Sequence, residues 1–179
     1  MRRALALLAL SLLSGLAQAH LMVAQHATLN FSGSGAYLVA ALPVSAFEGV
    51  DDDGDGLLSL TELRAHAPAL EAQLRAGLQL RDAQGARPLQ GLMLSLAPAD
   101  GAAQDRARHL VVLGRYELGA APEPPLHLHL TLFGRAVDER QQNVTVTRAG
   151  ASQWLRLTPE HSVRALFPGR AGAGGAGRR

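Results

Sequence analysis

The segment Asp51-Asp52-Asp53-Gly54-Asp55-Gly56 constrains this chain more than any other. Unpaired carboxylates are almost never fully buried, so the run cannot enter a core. Its two glycines also disfavour the interior of a helix or strand. The run is therefore a surface turn, and its crowded like charges favour a nearby cation. Extended through Leu57-Leu58-Ser59-Leu60-Thr61-Glu62, it fills twelve positions with oxygen donors at alternate places. Calcium takes about six to eight oxygens at about 2.3–2.6 Å. In such a loop Asp51, Asp53 and Asp55 would converge on one ion. Leu57 would offer its backbone carbonyl, and Ser59 its hydroxyl or a bridging water. Glu62 would close the site with both carboxylate oxygens. Gly56, at the sixth place, permits the sharp turn that a side chain would strain. A solvated acidic turn, with Asp55 or Ser59 as an ordinary helix N-cap, is the alternative.

The flanking residues extend the pattern. Pro43 to Val50 reads as a short entering helix with Phe47 on its inner face, and Leu63 opens the apolar face of the exiting one. Leu58, at the eighth place, is the apolar residue expected to pair with a neighbouring strand. On these residues the segment from about 43 to 70 resembles the EF-hand calcium-binding family. The resemblance implies one bound Ca2+, with Asp51, Asp53, Asp55, Leu57, Ser59 and Glu62 as ligands. The loop occurs once, although such loops usually pair across their eighth positions. Leu58 must then be supported by the rest of the domain or by a second copy in a homodimer. The expected affinity is weak, on the order of 10⁻⁴–10⁻³ M, which suits a structural ion.

The first residues read as a cleavable leader. Arg2 and Arg3 precede an apolar run from Ala4 to Leu16, and Ala17-Gln18-Ala19 gives a small-x-small cleavage pattern. Cleavage after Ala19 implies a periplasmic or secreted protein with no membrane span after processing. The whole chain carries 17 Lys+Arg and 15 Asp+Glu, and removal of Arg2 and Arg3 leaves it formally neutral. No basic stripe interleaved with aromatics is present, which argues against nucleic acid as a partner. Residues 20 to 169 read as one domain. The tail from Arg170 to Arg179 has nothing to bury and is expected to be disordered.

Within the domain, short strand signals dominate. Two apolar segments between Leu21 and Leu42 flank Ser32-Gly33-Ser34-Gly35, a hairpin signal. Leu60 to Leu78 has helical spacing that Pro68 should split near His66. Leu78–Arg81 and Pro88–Leu96 flank the turn Asp82-Ala83-Gln84-Gly85. Further strands are expected over His109–Leu118, Leu126–Phe133, Asn143–Arg148 and Gln153–Leu157. Leu126 to Leu132 alternates strictly, as a half-buried strand should. The expected fold is α+β, a small antiparallel β-sandwich with an inserted EF-hand-type helix-loop-helix.

The histidines offer a second metal chemistry. His127 and His129 stand two apart on one strand, facing one side, and could ligate zinc or copper given a third ligand nearby. His20 would become the N-terminus after cleavage, where its amine and imidazole could hold copper. Catalysis is not expected. The chain has no cysteine, which excludes thiolate chemistry. It also lacks a Gly-x-Ser-x-Gly elbow, a phosphate-binding glycine loop and a His-Glu-x-x-His motif. The order of leader, hairpin, acidic loop and strands is similar to the soluble domain that precedes the membrane part of some HupE/UreJ-type proteins. No residue role follows from that likeness.

Overall fold

The computed structural model describes residues 24–97, 105–119 and 125–168. The expected leader, its cleavage point, His20 and the Gly/Ala/Arg tail lie outside them.

The hairpin expected first is present. β1 (His26–Ser32) buries Ala27, Leu29 and Phe31 at alternate positions and turns into β2 (Gly35–Pro43). Gly33 takes φ +56 at the first position of the two-residue turn, a conformation open to glycine at little cost. Beyond Pro43 the chain makes one 3-10 turn, Val44–Ala46. The acidic segment follows, then β3 (Leu58–Ser59) and two helices, α1 (Leu60–Ala65) and α2 (Ala67–Gly77). The break falls at His66 and Pro68 stands in the first turn of α2, as its missing N–H dictates.

β4 (Leu78–Asp82) and β5 (Gly85–Arg87) form a tight hairpin at the expected turn. The strand expected to complete that hairpin does not do so. Beyond Pro88 the chain enters β6 (Leu89–Ala97), which belongs to the other sheet. After β7 (Arg106–Ala107) come β8 (His109–Glu117), β9 (Leu126–Leu130), β10 (Gln142–Arg148), β11 (Ala151–Leu157) and β12 (Val163–Leu166). The six-stranded sheet runs β11-β10-β1-β2-β8-β6, and the four-stranded sheet runs β12-β9-β4-β5. A third sheet consists of β3 and β7 alone.

The fold is thus β-rich α+β with few helices. The expectation of wholly antiparallel pairing is corrected at one place, because β1 and β10 pair in parallel, His26 opposite Asn143 through Phe31 opposite Arg148. A parallel pair needs a long connection, and here three strands of the four-stranded sheet, β4, β5 and β9, lie between the two strands in sequence. Both large sheets and α2 contribute to one core. Leu29, Leu38, Leu110 and Tyr116 come from the first sheet, Leu80 and Leu128 from the second, Leu70 and Leu74 from α2. The Tyr116 hydroxyl, buried with its ring, donates to the Leu78 carbonyl at 3.0 Å and ties the sheets together. Burial pushes its ionisation far above the ordinary tyrosine range. Among the described residues no helix is long and apolar enough to cross a membrane.

Candidate metal-binding loop

The acidic segment is held at both ends by buried apolar residues. On the entering side Phe47 and Val50 are core residues. The expected entering helix is absent there. After the 3-10 turn Phe47 already has extended backbone, with φ −102 and ψ 145. Eight residues are marginal for a helix, and Gly49 takes φ +65, which ends any helical run. The arm is fixed instead by α2. The Gln73 side chain accepts the Glu48 N–H and donates to the Glu48 carbonyl, each at 2.9 Å.

On the exiting side Leu58 is fully buried, and β3 pairs antiparallel with β7, Leu58 opposite Ala107 and Ser59 opposite Arg106. The support expected for the eighth position thus comes from the same chain. The pairing extends one residue further, since the Leu60 N–H donates to the Asp105 carbonyl at 2.8 Å.

Between these anchors the backbone folds around Asp51. Its two carboxylate oxygens accept the N–H groups of Gly54 at 2.7 Å and Gly56 at 2.9 Å. Gly54 and Gly56 have φ +72 and +77, values a side chain would strain. Asp53 accepts from Asp55 N–H at 3.2 Å, and Asp55 from Leu57 N–H at 2.8 Å. The result brings Asp51, Asp53 and Asp55 together, with one carboxylate oxygen from each within 4.8 Å of the others. Among the described residues this is the group that could hold a metal ion. Asp52 turns elsewhere, to His66 Nε2 at 2.9 Å.

Glu62 stands apart from the three aspartates and joins the two ends of the loop. Its Oε1 accepts the Asp52 N–H and its Oε2 the Ser59 N–H, both at 2.8 Å. The Glu62 N–H donates in turn to the Ser59 hydroxyl at 3.2 Å, completing a capping box at the start of α1. Ser59 is therefore the N-cap that the plain-turn alternative foresaw, and its hydroxyl is engaged there. The backbone N–H and hydroxyl of Ser59, followed by the amides of Asp52 and Asp53, hold the Glu62 carboxyl at about 2, below its ordinary 4.5. Glu62 is buried, and the desolvation that follows opposes these bonds only in part. A carboxylate has about four acceptor positions, so two amide bonds leave Glu62 capacity for an ion.

Arg106 is the residue that sequence reasoning missed. Its Nη1 lies 2.5 Å from Asp55 Oδ2 and 3.5 Å from Asp53 Oδ2. The hydrogen bond and charge of Asp55, then the charge of Asp53, hold the guanidinium still more firmly protonated. No local pattern marked it, because β7 is two residues long and reaches the loop from far along the chain.

The histidine pair is less well furnished. His127 and His129 both lie on β9, and their cross-strand neighbours are Arg81 and Gln79 on β4 and Ala165 and Val163 on β12. None of these four offers an imidazole or carboxylate as a third ligand.

Comparison with known proteins finds no family model that matches the sequence and no similar curated protein.

Proposed function

We propose that this is an exported, non-catalytic calcium-binding protein that holds one structural ion in the loop from Asp51 to Glu62. The observation that carries the reading is the convergence of Asp51, Asp53 and Asp55, whose carboxylate oxygens lie within 4.8 Å of one another. Three hard anionic oxygens at such spacing suit a divalent cation that prefers oxygen. The carbonyl of Leu57, the hydroxyl of Ser59 and the carboxylate of Glu62 would complete the sphere, in the manner of an EF-hand loop. The frame around it would be half an EF-hand, with a 3-10 turn for the entering helix and a β-sheet for the partner loop. The leader supports a periplasmic or secreted setting. There a weak site, on the order of 10⁻⁴–10⁻³ M, would stay filled at millimolar calcium. The copper or zinc reading through His20, His127 and His129 gains no third ligand from the strands beside β9.

Calorimetric titration of the purified protein with calcium tests the reading. One ion per chain should bind, and Asp53→Asn should weaken binding about tenfold or more, since ligand charge tunes such sites. An unchanged affinity in Asp53→Asn would remove the loop as the site.

A further inference from the structure

A cation already sits on two of the three converging aspartates, and it belongs to the protein. Arg106 Nη1 contacts Asp55 Oδ2 at 2.5 Å and approaches Asp53 Oδ2 at 3.5 Å. Resting on the calcium reading of the loop, we propose that Arg106 is an intramolecular competitor of the ion, seated on Asp53 and Asp55 without calcium and displaced when calcium binds.

The two cations cannot share these oxygens on equal terms. A guanidinium offers five N–H donors and no acceptor, so it adds nothing to a calcium coordination sphere. Its positive charge beside the ion also opposes binding directly. Displacement requires little movement of the chain. The Arg106 backbone is fixed by its pairing with Ser59, and the neighbouring Asp105 carbonyl by the Leu60 N–H. The side chain alone is 45% exposed. It can swing into solvent while β3 and β7 stay joined. In the calcium-free state the same guanidinium relieves the mutual repulsion of the aspartates and keeps the loop shaped for the ion. The arrangement therefore lowers affinity without dismantling the site. It also frees an arginine on the surface when the site fills.

The test compares calcium affinity of the full chain as wild type, Arg106→Gln and Arg106→Lys by calorimetry. Arg106→Gln should bind calcium about three- to tenfold more tightly, the scale of losing one exposed like charge beside the ion. Arg106→Lys should fall between the two, since a point charge remains without the planar fork. In the wild-type chain, the Arg106 side-chain Nε–H resonance should move in step with calcium saturation. An Arg106→Gln affinity equal to or weaker than wild type, at unchanged melting temperature, would overturn the proposal while leaving the calcium reading intact. Should that variant fold poorly, an Arg106 resonance that stays fixed at saturating calcium would overturn it instead. A wild-type chain that takes up no calcium would defeat the calcium reading itself, and this proposal with it.

Discussion

Glu62 accepts the backbone N–H of Asp52 across ten residues of chain, at 2.8 Å. With the matching bond from the Ser59 N–H, one carboxylate fastens the start of the acidic loop to its end. The loop is consequently closed by its own last residue before any ion is considered, and its closure depends on that residue being charged.

Glu62→Gln should therefore loosen the loop even without calcium. An amide cannot accept at both positions, so one of the two N–H groups loses its partner. The expected cost is about 1–2 kcal/mol, the range for a capping interaction with a charged acceptor. The pH dependence follows from the sign of the shift. The folded carboxyl titrates at about 2 and the unfolded one at 4.5, so the stabilisation is complete above 4.5 and is lost as pH falls from there towards 2. Chemical denaturation in a chelator, repeated across that range, should show a slope in the wild type that shrinks in Glu62→Gln. Equal slopes would assign the acid sensitivity elsewhere.

Leu58→Ala should be the most damaging single change around the loop. The side chain has 0% exposure and is the only loop residue between Asp51 and Ser59 in the core cluster. Truncation should cost about 2–4 kcal/mol in urea denaturation, as for other buried leucines. Calcium should then bind more weakly as well, because the eighth position no longer anchors β3 to β7. A loss below about 1 kcal/mol would mean that the loop is held mainly by Glu62 and Gln73.

The position of this loop could be read directly from residues 51 to 62, because charge, glycine placement and spacing all act locally there. The same holds for the alternation of Leu126, Leu128 and Leu130 and for the break at Pro68, each set by neighbours in sequence. What escaped reading depends on distant partners. Nothing in His26 to Ser32 says that Gln142 to Arg148 will lie alongside it in parallel. Pro88 gives no sign that it moves the chain from one sheet to the other. Arg106 shows the same limit at the site, since its role comes from pairing with Ser59. The turn between β10 and β11 was missed for a different reason, because Ala149-Gly150 lacks the Asn or Asp that marks such a turn.

That turn yields a prediction of the opposite sign. Ala149 has φ +47 and Gly150 φ +77, so both central residues occupy the left-handed region. Alanine there is strained, whereas asparagine tolerates it and glycine adopts it freely. Ala149 is exposed, so its methyl group contributes little packing. Ala149→Asn or Ala149→Gly should stabilise the fold by about 0.5–1 kcal/mol, which a thermal melt can resolve. A loss of stability in both variants would show that the turn is not strained at this residue.

The calcium account is tested most directly by following the loop amides during a titration. The Gly54 and Gly56 N–H groups both donate to Asp51, at 2.7 and 2.9 Å, and so report on one of the carboxylates expected to bind the ion. In ¹H–¹⁵N spectra of the labelled protein, both resonances should shift and saturate together by roughly 10 mM calcium, about tenfold above the weak limit expected for such a loop. The amides of His127 and His129 should stay in place. Loop resonances that remain fixed throughout the titration would contradict the account.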